Sequence, residues 1–292
     1  MRNLNIILGG ILLFLFTACF SPAKKEIDER TITVSIEPMR FLTEQIAGND
    51  WNICSMIPKG NNPETYEPLP EQLIKLAHSK AYFRIGFIGF EQTWMDKLQT
   101  NAPQMKVYDT SQGIDFIREK GMQHGNHYHI GGIEPHVWSS PANVRRIATN
   151  IYHALCQISP EDSLSFLERW KKLDRQIVAT DSIIRQLLNK QKTHQTFLIY
   201  HPTLSYFARD YGLQQICIEE SGKEPSPSRM KTLIDQCKRE QVKVLFIQRE
   251  FDTRNTELIA AELDAQPILI DPLNYNWAEE LITIAKKLAN ND

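Results

Sequence analysis

Several things are scarce in this 292-residue chain, and each scarcity removes a class of function. Charge of one sign is scarce: 33 basic and 35 acidic residues leave a net charge of -2 and are mixed along the chain. That excludes the basic footprint of a nucleic-acid binder. Cysteine is scarce too, with five in all and none in a CxxC or zinc-knuckle spacing, so a cysteine-built zinc site is excluded. There is no HExxH pair or other compact catalytic motif. The apolar run Leu4 to Phe16 is too short and too one-sided to cross a membrane.

That run has the layout of a secretory signal, with a positive start, an apolar middle and small residues at its end. It closes Leu15-Phe16-Thr17-Ala18-Cys19, which resembles the lipobox of bacterial lipoproteins. The resemblance implies cleavage before Cys19, lipid on Cys19 and a mature protein outside the cytoplasm, on a membrane of the cell envelope. The alternative is an ordinary signal peptide with an incidental cysteine. Residues 20–30, polar and charged, then form a tether. Outside the cytoplasm disulfides can form. Cys54 and Cys217 fall in strand-like runs and Cys156 and Cys237 in helix-like ones. Buried free thiols fit that placement, and a Cys217–Cys237 bridge stays open.

What is present is a βα rhythm. β-branched and apolar runs at 31–36, 51–57, 81–85 and 106–108 alternate with amphipathic helical stretches. The rhythm restarts with strands at 196–200, 215–218, 242–248 and 267–270. Such alternation predicts an α/β fold with mainly parallel sheets flanked by helices. Between the halves lies a stretch from Ser159, read as an N-cap ahead of Pro160, to about Asn189, with no Gly or Pro after Pro160. Roughly 30 residues of helix would span about 45 Å, enough to join two lobes. The expected division is a signal and tether at 1–30, an N-terminal lobe at 31–159, a rigid linking helix at 160–190 and a C-terminal lobe at 191–292.

In parallel sheets, ligands gather beyond the carboxyl ends of strands. Glu64 lies in the loop after the second strand, in a stretch dense with turn formers. His136 sits in Glu134-Pro135-His136-Val137-Trp138-Ser139-Ser140-Pro141, where two prolines make a rigid loop. His201 follows the strand TFLIY, and Asp271 follows PILI. Two donors from each half would place a cation between the lobes.

The stretches GNNPETYEPLPEQL, RIGFIGFEQTW, EPHVWSSPANV, YHPTLSYFARDYGL, EESGKEPSPSRM and ILIDPL, together with the capped long helix, occur in one order from about Thr31 to Ala289. In this the chain resembles the zinc- or manganese-capturing solute-binding proteins of bacterial ABC importers, cluster A-I. The resemblance implies a bilobed carrier with one metal between lobes and an ABC permease as partner. His136, His201 and Asp271 match the family's metal positions. Glu64 does not match cleanly, because the family usually has a histidine after that proline; water or Glu67 could complete the shell instead. Two imidazoles and two carboxylates suit zinc, with manganese or ferrous iron as the alternative. The segment with His124, His127 and His129 resembles a short His-rich loop of zinc carriers, and its alternative is a solvated loop. A monomer that binds no nucleic acid is expected. Other readings are an envelope adhesin or structural lipoprotein, and a metallohydrolase with Glu64 as general base. His78, His153 and His194 carry no functional expectation.

Overall fold

The computed structural model describes residues 28–118, 122–124, 127–129, 132–189, 193–219, 225–251 and 254–289. Cys19 and the whole signal segment lie outside them.

The N-terminal half is built from β1 (Asp28–Val34), α1 (Glu37–Ala47), β2 (Asn52–Ser55), α2 (Pro70–Ala77), β3 (Ser79–Arg84), α3 (Gly89–Asn101) and β4 (Lys106–Asp109). Its strands form one parallel sheet in the order β2-β1-β3-β4. Two short strands, β5 (Met122–His124) and β6 (His127–His129), then pair antiparallel with His124 opposite His127. The sequence reads the histidine segment as a loop; its described residues instead pair as two short strands.

The α4 helix (Pro141–Ile158) begins where Ser140 accepts a hydrogen bond from the Asn143 N–H at 3.1 Å, and Pro141 follows at the first helical position. The long helix α5 covers Ser163–Leu188, 26 residues, or about 39 Å. It starts later than the sequence suggested. The Ser159 hydroxyl bonds the carboxylates of Glu161 and Asp162, at 2.5 and 2.9 Å, rather than capping a helix. Residues Pro160–Asp162 make a 3-10 turn before the α-helix begins.

The C-terminal half comprises β7 (Thr196–Ile199), α6 (Ser205–Tyr211), β8 (Gln214–Cys217), α7 (Pro227–Arg239), β9 (Leu245–Gln248), α8 (Arg254–Leu263), β10 (Pro267–Ile270) and α9 (Trp277–Ala289). Its sheet is parallel, ordered β10-β9-β7-β8. The architecture is therefore two parallel-sheet lobes flanked by helices and joined by a long helix.

That helix is part of the core as well as a connector. Phe166, Leu173, Ile177, Ile184 and Leu188 are buried at helical spacing, and α5 packs on α1, α4 and α9. One contiguous core runs from Val34 and Phe83 through Ile177 to Phe197, Leu281 and Ile284. The period-2 pattern of β7 splits the second lobe. Phe197 and Ile199 face this shared core, while Leu198 and Tyr200 face a smaller one with Met230, Leu233 and Ile259. Cys54, Cys156, Cys217 and Cys237 are free thiols, so no Cys217–Cys237 bridge forms. The Cys217 thiol donates to the Tyr200 carbonyl at 3.0 Å, and burial pushes its pKa up to about 12.

Candidate metal centre

His136 is held by its own loop. Pro135 restricts the chain before it, and Val137–Ser139 closes into a 3-10 turn that leads to the α4 cap. Glu134 accepts from the His136 backbone N–H at 3.0 Å and bonds the ring at Nδ1. The other Glu134 oxygen accepts from the Ser205 hydroxyl at 3.2 Å, and its carbonyl from the Tyr206 hydroxyl at 2.8 Å. Burial alone would raise the Glu134 carboxyl, but the hydrogen bond and charge of His136 outweigh it and hold the group below the usual carboxylate range. The imidazole of His136 is buried, with the Trp138 ring edge-on at 5.2 Å.

His201 stands two residues past the end of β7. Its Nδ1 bonds Glu219 at 2.8 Å. Buried Gln248 clamps the backbone: its Oε1 accepts from the His201 N–H at 3.3 Å, and its Nε2 donates to the His201 carbonyl at 2.7 Å. Phe251 stacks on the ring at 4.7 Å.

Because each Nδ1 is engaged by a carboxylate, the neutral tautomer carries its proton there and leaves Nε2 bare. The two Nε2 atoms face each other at 3.3 Å. Two lone pairs at that distance repel unless a cation or proton lies between them. In a tetrahedral zinc site with Zn–N of about 2.0–2.1 Å, the N–N edge is about 3.3–3.4 Å.

Glu64 reaches the same place from the N-terminal lobe. One carboxylate oxygen accepts from the Gly89 N–H at 2.9 Å. The other is buried with no hydrogen-bond partner, an unmet acceptor that a cation would satisfy. Gly89 is needed for this approach, since a Cβ there would lie 2.4 Å from the Glu64 carbonyl oxygen. The turn leading to Gly89 puts Gly86 and Phe87 in left-handed backbone, φ 80° and 63°. Buried Glu91 stabilises it by accepting from the N–H groups of Ile85, at 3.2 Å, and Gly86, at 2.6 Å. Burial raises the Glu91 carboxyl.

A narrow cavity of about 20 Å³ lies at this junction, lined by Glu64, His136, Trp138, His201, Glu250 and Phe251 among others. It has room for one ion or one water. Asp271 is not in the lining. Its carboxylate lies 3.9 Å from the Lys59 ammonium, and its backbone N–H donates to Glu280 at 2.8 Å. Among the described residues no three His, Cys, Asp or Glu side chains converge closely enough to hold an ion in this arrangement. Fold and loops thus bring His136, His201 and Glu64 to one cavity and leave Asp271 beside it. Glu67 is exposed and turned to a separate surface hollow. A larger surface groove of about 540 Å³, between α4 and α5, gathers arginines and apolar groups but no metal donors beyond Asp181.

Sequence reasoning assigned no role to Glu134, Glu219, Gln248 or Glu250. Glu134 was findable as a carboxylate two residues before the histidine, and Glu250 as one two residues beyond a parallel strand. Glu219 and Gln248 approach His201 from 18 and 47 residues away, which no local pattern reveals.

The family described as ZnuA, zinc-uptake complex component A periplasmic, matches residues 32–290. The chain belongs to that family. Its relatives include a putative metal-binding protein of Chlamydia muridarum, 27% identical over 96% of this chain and 98% of its own length. The zinc-binding lipoprotein AdcA of Streptococcus pneumoniae serotype 4 is 23% identical over 96% of this chain, which spans 57% of that longer protein. Among solved structures, a crystal structure of ZnuA superposes with a TM-score of 0.82 at 36% identity, covering 89% of this chain and 98% of that one.

Proposed function

We propose that this protein is an extracytoplasmic carrier that captures one divalent transition metal between its lobes and delivers it to an ABC permease. The observation that carries the proposal is the pair of imidazoles, each held at Nδ1 by a carboxylate, whose bare Nε2 atoms stand 3.3 Å apart. His136 and His201 bind the ion through Nε2. Glu64 binds through its unpartnered oxygen, and Asp271 closes the shell by leaving Lys59. Zinc is the favoured cargo, because the facing nitrogens already have the spacing of a tetrahedral zinc shell. Manganese and iron are the alternatives. Relatives in the family are named for zinc and for iron, the latter in the iron ABC transporter substrate-binding lipoprotein MtsA of Streptococcus pyogenes serotype M1.

A carrier surrounds its ion, whereas a hydrolytic site keeps a position open for water and substrate. The cavity is too small for an organic substrate, which favours capture over turnover. The shared core through α5 makes a wide hinge costly, so release comes from movements of the Glu64, His136 and Asp271 loops. The imidazoles of His124, His127 and His129 raise the local concentration of zinc. Lipid on Cys19 anchors the monomer to an envelope membrane. Among the described residues no helix is long and apolar enough to cross one.

Titrating zinc and manganese into metal-free protein, with elemental analysis of protein purified without added ions, tests this. Saturation at one ion per chain, abolished in His136→Ala, is the expected result. A wild-type protein that binds neither metal would overturn the carrier reading. Glu64→Ala shows whether that carboxylate coordinates: unchanged affinity removes it from the shell.

A further inference from the structure

The C-terminal sheet has a third donor that the four-residue shell does not use. In the order β10-β9-β7-β8, the end of β9 lies between the ends of β7 and β10. His201 follows β7 by two residues, Asp271 follows β10 by one, and Glu250 follows β9 by two. The fold therefore brings three potential donors to adjacent strand ends, with Glu250 in the middle. Glu250 lines the same cavity as Glu64, His136 and His201, and Asp271 does not. Its neighbour Phe251 stacks on the His201 ring, and the Phe251 N–H donates to the Gln248 carbonyl at 3.3 Å. This turn ties Glu250 to the residue that clamps His201. Among the described residues no other side chain hydrogen-bonds or ion-pairs with its carboxylate.

We propose that Glu250 is an oxygen ligand for the harder cations, manganese and ferrous iron, and so widens the range of metals this chain can capture. The inference rests on the reading that the cavity holds a divalent cation. Zinc is satisfied by four donors, whereas manganese and ferrous iron take more oxygen ligands. Two imidazoles with Glu64 and Asp271 give four donors, and Glu250, which lines the same cavity, supplies a fifth.

The test compares Glu250→Gln with wild type by titrating manganese and zinc separately. Glutamine keeps the shape and removes the charge, and a thermal melt of the metal-free variant checks that it folds. Manganese affinity is expected to fall about tenfold or more while zinc affinity stays within about threefold. The paramagnetic resonance spectrum of bound manganese should change with it. A manganese-to-zinc affinity ratio that does not move in Glu250→Gln overturns the inference. If that happens while His136→Ala still abolishes binding, the carrier reading stands without it. A wild-type chain that binds neither metal overturns both.

Discussion

The two histidines whose Nε2 atoms face each other are held in opposite ways. His136 is fixed by residues next to it: a proline before it, a carboxylate two positions back, a 3-10 turn and a capped helix after it. His201 is fixed by residues from elsewhere: Glu219 beyond β8, Gln248 at the end of β9 and Phe251 after it. A ligand positioned locally is set once its loop folds. A ligand positioned by neighbouring strands needs the whole sheet in register. The N-terminal imidazole should therefore be the more rigid of the two in the metal-free protein, and the C-terminal one more sensitive to distant substitutions.

The largest effect should come from removing either imidazole. His136→Ala and His201→Ala are each expected to weaken zinc binding by more than the about 10- to 100-fold typical of losing an outer partner, measured by competition with a chelator of known affinity. Equal losses would show that both sides coordinate. A loss confined to His136→Ala would place the ion wholly on the N-terminal side.

The next largest effect separates the two outer carboxylates. Glu134→Gln and Glu219→Gln should each cost about 10- to 100-fold in metal affinity. Glu134→Gln should also lower the stability of the metal-free protein, because that residue bridges the lobes through Ser205 and Tyr206. The pH dependence has a definite sign. The Glu134 carboxyl is lowered in the folded state, so its stabilisation is present above the ordinary glutamate range and is lost as pH falls through the lowered native value. Melting temperatures measured down through mildly acidic pH should converge for wild type and Glu134→Gln. Curves that stay parallel would contradict the pairing.

A smaller effect tests whether the lobes are clamped together. The Trp277 indole N–H donates to the Trp138 carbonyl at 2.7 Å, and the Trp138 indole N–H donates to the Pro272 carbonyl at 3.0 Å. These bonds tie the loop after His136 to the loop after Asp271. Trp277→Phe should cost about 1–3 kcal/mol, since it leaves a buried carbonyl unmet, and denaturant unfolding should remain a single transition. Two separated transitions would show that the shared core does not couple the lobes.

The smallest effect concerns the approach of Glu64. Gly89→Ala places a Cβ against the Glu64 backbone and should weaken metal binding by about threefold to tenfold, or about 0.6–1.4 kcal/mol. An unchanged affinity would mean Glu64 can coordinate from a displaced loop.

Element type and order were legible in the chain because hydrophobic periodicity is local. Strand runs such as TFLI and PILI and the amphipathic stretch from Phe166 to Leu188 announced themselves. The errors were also local in cause. Ser159 has the composition of an N-cap, yet its hydroxyl bonds nearby carboxylates. The histidine segment has the composition of a loop, yet its described residues pair as two short strands.

What the sequence determined by itself is therefore the set of parts: two βα runs, a long connecting helix, and donors left where strands end. Tertiary structure alone decided which donors meet. His136 and His201 are 65 residues apart, yet their Nε2 atoms come within 3.3 Å. Asp271, equally well placed in sequence, stands by Lys59, while Glu250 enters the cavity. Sheet order, helix packing and the shared core set these distances, and each depends on burial summed across both lobes. No short stretch of chain contains that sum.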